Sequence, residues 1–136
     1  MICAVHAVIG AAIGKAAQHP GKAFAGGVAS HLIGDLTPHK DLPAKVELPL
    51  LAVTIFLIFL KYGIKSPEFW GAVGGFSPDF ENAAWMFGLM KQEDCRFPTH
   101  IQRGKYHAPP LSTAFPQVLL VVACLYYLFR PTTPRR

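Results

Sequence analysis

Charged side chains are scarce in this sequence. They make up 15% of the 136 residues, whereas soluble domains usually carry about 25%. Hydrophobic residues account for 51%, and the mean hydropathy is +0.31. The formal net charge is +5, but the basic residues are dispersed and form no stripe, which argues against nucleic-acid binding. Attraction to anionic lipid headgroups explains the basic bias equally well, so a membrane protein is the first expectation.

Cysteine is also sparse, with only Cys3, Cys95 and Cys124 in the whole chain. They are far apart, odd in number and form no CxxC pair, which excludes a disulfide framework and a cysteine zinc site. The apolar first 17 residues lack a basic leading region, and they contain His6 and Lys15. We therefore expect this segment to remain in the mature protein rather than to act as a signal peptide.

Several catalytic motifs are missing. The sequence has no GxSxG, no phosphate-binding GxxxxGK and no HExxH. If the protein is an enzyme, metal-assisted hydrolysis is the chemistry that remains, in which an ion makes a hydroxide from water. No catalytic residue can be assigned from the sequence.

Two long apolar segments predict membrane spans. Residues 48–60 carry no charge, and the stretch extends to residue 64 if Lys61 snorkels. These 17 residues would span about 25 Å as a helix. Residues 114–129 form the second span. A buried helix in a soluble bundle is the alternative, but two such stretches in a short chain favour the membrane.

Small residues recur every four positions in three other segments, where they let helices approach closely. The three sets are His6, Gly10 and Gly14; Ala23, Gly27, His31 and Asp35; and Gly71, Gly75 and Asp79. The sequence therefore predicts an all-α integral membrane bundle of four to five helices, some of them short or re-entrant. Residues 1–136 would form a single membrane-embedded domain.

A weak internal repeat relates two of these segments. Gly27 and Asp35 are eight residues apart, as are Gly71 and Asp79, and each acid lies near a proline. Paired Gly/Pro-interrupted segments point to a site at the interface between the repeats. Chance is the alternative, since only two features match.

Histidines and acids lie in or beside these segments and suggest a metal site. Imidazole and carboxylate together suit a divalent ion such as zinc or manganese, and ionisable groups inside a membrane bundle are costly and usually functional. The candidate ligands are His6, His31, Asp35, His39, Asp79 and His107.

Four of these candidates also have a simpler interpretation. His31 and Asp35 could be a hydrogen-bonded i,i+4 pair that satisfies two buried groups. Asp79 could be a first-turn acid, as could Glu81, in a helix capped by Ser77. His6 could bond to a neighbouring helix.

Residues 91–113 form the only long polar stretch, and they cannot lie in hydrocarbon. Under the metal-site hypothesis this loop folds over the ends of the helices that carry Asp35 and Asp79. It would bring His107, or failing that His100, to these acids. Arg103 and Lys105 would line the entrance and contact an anionic substrate. The alternative is a solvated connector.

Four stretches of the sequence resemble a known family. They are His6 in the first apolar segment, "GDLTPHKD", "FSPDFEN" and "QRGKYHA". The pattern is similar to bacterial inner-membrane proteins called membrane-bound metal-dependent hydrolases, a largely uncharacterised group. The resemblance implies a bacterial inner-membrane location and a metal-dependent activity.

The leading functional hypothesis is thus a metal-dependent membrane hydrolase that acts on a lipid or a lipid-linked phosphate. The alternative is a non-catalytic small membrane subunit or scaffold that packs in a larger complex. A half-transporter that dimerises is a third option. The expected partners are membrane lipids, with a homo-oligomer or larger membrane complex as a further expectation and no nucleic acid.

Overall fold

The structure is a computed structural model that describes residues 1–101 and 106–131. These residues form six α-helices and a short 3-10 helix, Gln92–Asp94, and they contain no β-strand. The α-helices are α1 (Cys3–Ala17), α2 (Pro20–Asp35), α3 (Ala44–Tyr62), α4 (Pro67–Phe76), α5 (Asp79–Met86) and α6 (Phe115–Phe129). The predicted all-α class is confirmed.

The structure describes six α-helices, one more than the upper limit of the four to five expected. The additional helix results from an interruption of the helix before Asp79. α4 ends at Phe76 and α5 begins at Asp79, because Pro78 has no N–H with which to continue a helix. The predicted Ser77 cap is wrong: α5 has no side-chain cap, and the Ser77 hydroxyl donates to the carbonyl of Gly74. Asp79 and Glu81 do lie in the first turn of α5.

The two predicted spans fall on α3 and α6. α3 has 19 residues and α6 has 15. Across the part of the chain that the structure describes, none of the helices has both the length and the apolar character needed to cross a membrane.

Helices α1, α2 and α4 pack with their backbones in direct contact, as the spacing of small residues predicted. A Cβ atom built on Gly71 would lie 2.1 Å from the carbonyl oxygen of Gly10. One built on Gly27 would lie 2.3 Å from the Gly71 oxygen, and one on Gly75 would lie 2.2 Å from the His6 oxygen. Only glycine fits at these crossings. The close approach also brings the rings of His6 and His31 into a stack, with centroids 3.8 Å apart.

A buried lysine connects the helices where α6 ends. The ammonium group of Lys15 on α1 donates to the carbonyl oxygens of Tyr127, Leu128 and Arg130, at 2.9, 2.9 and 2.7 Å. The Tyr62 hydroxyl on α3 donates to the same Leu128 oxygen at 2.8 Å. These bonds satisfy carbonyls that the end of α6 leaves without helical partners, so they hold α1, α3 and α6 together.

Helices α3 and α6 expose much of their apolar surface. An exposed apolar surface of this kind usually marks contact with lipid or with another protein. The exposed large hydrophobic residues of these two helices are Val46, Leu48, Leu50, Val53, Phe56, Leu57, Phe59 and Leu60, and Phe115, Val118, Leu119, Leu120, Val122, Leu125, Tyr126 and Phe129.

Candidate metal centre

The carboxylate of Asp35 lies at the centre of a buried cluster of histidines. Asp35 is the last residue of α2 and is 1% exposed. Its Oδ2 atom accepts a hydrogen bond of 2.8 Å from the Thr99 hydroxyl. The same oxygen lies 3.0 Å from Nε2 of His31 and 3.5 Å from Nε2 of His100. One side of the carboxylate therefore faces two imidazole nitrogens.

The other oxygen of Asp35 faces a different group of residues. Its Oδ1 atom is 3.1 Å from Nε2 of His6, with which it forms a hydrogen bond, and 3.7 Å from Nε2 of His107. The amino group of Met1 also contacts this oxygen at 3.1 Å. Burial alone would raise the pKa of Asp35, but the neighbouring imidazoles and this amino group hold it well below its usual range. The carboxylate is therefore anionic.

The segment after α5 is held against the cluster by hydrogen bonds that its backbone N–H groups donate. The carboxylate of Glu81 accepts from the N–H groups of Arg96 and Phe97, at 3.1 and 2.9 Å. Further along, the N–H of Ala108 donates to the carbonyl oxygen of Asp35 at 2.8 Å. These bonds place Thr99, His100 and His107 beside Asp35, which is the folding-over that the sequence predicted.

Two of the histidines are oriented so that Nε2 points into the cluster. Nδ1 of His31 lies 2.7 Å from the carbonyl oxygen of Gly75, and Nδ1 of His39 lies 2.6 Å from that of Thr37. Because a carbonyl can only accept, each Nδ1 carries the hydrogen that it donates. Histidines that bind metals are commonly held by such a bond on the second nitrogen.

Buried polar atoms without a hydrogen-bond partner mark the middle of the cluster. In the described residues these atoms include Nε2 of His31, Nε2 of His100 and Oδ2 of Asp79. His31 and His100 are 0% and 4% exposed. Nε2 of His31 is close to Asp35, yet its geometry is not that of a hydrogen bond. An imidazole nitrogen and a carboxylate oxygen that face each other in this way need a proton, a bridging water molecule or a metal ion between them.

Four of these atoms form what we call the first donor set: His31 Nε2, His100 Nε2, Asp35 Oδ2 and Asp79 Oδ1. Oδ1 of Asp79 lies 3.8 Å from each of the two imidazole nitrogens. Ligands held about 2.1 Å from a common ion are roughly 3.0–3.5 Å apart. The separations of 3.0 to 3.8 Å fit an ion after small adjustments.

A second group, which we call the second donor set, consists of His39, His107 and Asp35. One ligand atom of each residue lies within 4.8 Å of those of the other two. His39 is 1% exposed, and its Nε2 is 3.2 Å from Oδ1 of Asp41. This contact, with burial opposing it, lowers the pKa of Asp41 to about 2. Burial lowers the pKa of His107, which favours the neutral ring that a metal requires.

All six ligands predicted from the sequence lie in this cluster, although His6 uses Nε2 for its hydrogen bond to Asp35. Arg103 and Lys105, the predicted substrate contacts, lie outside the described residues. Sequence reasoning missed Thr99 and Asp41. Thr99 has no motif or periodicity around it, whereas Asp41 is the last residue of the "GDLTPHKD" stretch and could have been identified from its place there.

The cluster combines imidazole and carboxylate ligands, which suit zinc or a manganese-like ion. Its buried histidines and acids could hold such an ion on geometric grounds. Comparison of the chain with models of protein families, with curated proteins and with solved structures finds no significant match.

Proposed function

We propose that this protein is a metal-dependent hydrolase that works in a membrane and acts on a lipid or a lipid-linked phosphate. The observation that carries the proposal is the pair of buried Nε2 atoms of His31 and His100, which face Asp35 and Asp79 without hydrogen-bond partners. Leaving such atoms unpaired costs about 1–3 kcal/mol each. A bound ion would remove this cost and would explain why imidazole and carboxylate groups lie together in this cluster.

The residues of the cluster divide into ligands and positioning residues. His31, His100, Asp35 and Asp79 would hold a divalent ion, which when bound supplies an activated water or polarises a phosphoryl oxygen. Thr99 donates to Asp35, and His6 is hydrogen-bonded to it from the other side. These two residues fix the carboxylate, a role known to affect metal affinity.

A cavity beside the cluster supports an amphiphilic substrate. It measures about 260 Å³ and reaches Asp79 and His107 at the cluster. Leu42, Leu48 and Trp85 line other parts of it. A molecule with a polar head and an apolar chain would put the head at the candidate ligands and the chain along these hydrophobic walls.

The membrane location rests on the exposed apolar surfaces of α3 and α6 and on the family resemblance of the sequence. The cluster lies near the first turns of these helices: Gln117 of α6 accepts from the N–H of Ile2 at 3.2 Å and donates to the carbonyl of Lys40 at 2.8 Å. If lipid covers α3 and α6, the cluster lies towards one edge of the apolar layer. This is where lipid headgroups are found. A bacterial inner membrane is the location that we propose.

The same exposed surfaces favour a second candidate, a non-catalytic small subunit or scaffold. In that case, apolar helices of a larger membrane complex or of a second copy of the chain would cover α3 and α6. The cluster would then have a structural role, with or without a metal ion.

Hydrolysis assays on purified protein in detergent separate the two candidates. Suitable substrates are phosphatidic acid, a phosphate monoester, and phosphatidylglycerol, a diester. We expect product release from at least one of them, loss of that activity with a chelator, and its return with Zn²⁺ or Mn²⁺. His100→Ala should lack the activity, whereas the control variant His19→Ala should keep it, because His19 only caps α2. A metal-loaded protein that hydrolyses neither lipid would favour the non-catalytic subunit.

A further inference from the structure

The two oxygens of Asp35 face different histidines: Oδ2 faces His31 and His100, and Oδ1 faces His6 and His107, with His39 beside His107. We propose that the centre binds two divalent ions, bridged by the carboxylate of Asp35. This inference deepens the proposed function and rests on it, since both require the cluster to bind metal.

The first ion would occupy the first donor set. Oδ2 of Asp35 faces His31 and His100 at 3.0 and 3.5 Å. Asp79 faces the same two nitrogens, at 3.8 Å each. The unpaired, buried Nε2 atoms of both histidines converge on the space between these oxygens.

The second ion would occupy the second donor set, on the opposite oxygen of Asp35. Nε2 of His107 lies 3.7 Å from Oδ1, and its Nδ1 contacts the carbonyl of Ala108 at 3.3 Å. His39 has the same arrangement, with Nδ1 bonded to a carbonyl and Nε2 turned inwards. Both rings therefore direct a lone pair into the cluster, as His31 does on the other side.

The second position has a further oxygen ligand, and in the structure it holds the amino group of Met1. Oδ1 of Asp41 lies 3.2 Å from Nε2 of His39 and provides a further oxygen. The amino group of Met1 lies 3.1 Å from Asp35 and 3.3 Å from Asp41, and it also contacts His39. An ion at this position would replace the amino group at these three ligand atoms.

The geometry separates the two pairs of histidines. In the described part of the chain, none of the groups of three ligand atoms within 4.8 Å combines a histidine of one pair with a histidine of the other. Asp35 is the residue that the two donor sets share. Two ions about 3.5–4 Å apart are typical of phosphatases and nucleases, where they contact the attacking and leaving oxygens. A two-ion centre would therefore suit hydrolysis of the phosphate ester that we propose as the substrate.

Manganese binding to the chelator-treated full chain in detergent tests this inference. We expect two Mn²⁺ ions per chain at saturation, counted by mass spectrometry after removal of free metal. We also expect an electron paramagnetic resonance spectrum with magnetic coupling between the ions. His100→Ala and His107→Ala form a matched pair, because both lie between α5 and α6 in the sequence and contact opposite oxygens of Asp35. Each variant should lose one of the two ions and the magnetic coupling.

The outcomes distinguish the two proposals. A single uncoupled ion in the wild-type chain, lost in His100→Ala and retained in His107→Ala, would overturn the two-ion centre and leave the hydrolase proposal standing. No bound manganese in the wild-type chain would overturn both. The wild-type count decides the question even if a variant fails to fold.

Discussion

Asp35→Asn is expected to remove bound divalent metal from the protein while leaving its helices folded. The amide has the same shape, and its oxygen can still accept the hydrogen bond from Thr99, which is 2.8 Å long in the native chain. Its nitrogen has no lone pair for a metal, and its charge is zero. Metal affinity should fall by at least about 100-fold. Metal content after purification and the helical circular dichroism spectrum are the two measurements.

The matched control is Asp94→Asn, which removes the same charge from an exposed residue in the 3-10 helix. This control should keep its metal. If Asp35→Asn also keeps its metal and loses only about 1–3 kcal/mol of stability, then Asp35 satisfies buried hydrogen bonds and is not a ligand.

Gly71→Val is expected to abolish the packing of α1 and α2 against α4. The first atom of the new side chain would lie 2.1 Å from the carbonyl oxygen of Gly10 and 2.9 Å from its carbonyl carbon. These are backbone atoms of a helix, so they cannot move aside without separating the helices. The expected loss exceeds about 4 kcal/mol of unfolding free energy, beyond the usual range for point mutations. Thermal unfolding followed by circular dichroism measures it.

Gly21→Ala is the control for this variant. A Cβ atom at Gly21 would lie no closer than 3.4 Å to the ring of His19, an ordinary contact distance. We expect its unfolding temperature to match that of the wild-type chain. If Gly71→Val were as stable as Gly21→Ala, α1 and α4 would not cross at these glycines.

Much of the fold could be predicted from the spacing of small residues. Residues four apart share one face of a helix, so the positions of Gly71 and Gly75 in the sequence indicate a helix face without side chains. In the structure this face contacts α1, with Gly71 against Gly10 and Gly75 against His6, whereas the spacing did not indicate which helix would be the partner. The break before α5 was harder to predict in detail, because Ser77 bonds back to α4 rather than forward to α5.

The candidate site could be predicted by residue type but not by arrangement. Histidines and aspartates stood out in an apolar chain, whereas their partners depend on contacts between distant segments. Thr99 and Asp35 are 64 positions apart in the sequence, and nothing near Thr99 indicates a carboxylate. The division of ligands between the two oxygens of Asp35 is likewise a property of the folded loop.

The metal content of the wild-type protein tests the central claim most directly. The chain should be purified in detergent without chelators and analysed by inductively coupled plasma mass spectrometry. We expect at least one divalent ion per chain, because the buried Nε2 atoms of His31 and His100 face two carboxylates with no other partner among the described residues. Protein that contains no bound divalent metal, and takes up none when zinc or manganese is added, would contradict the account.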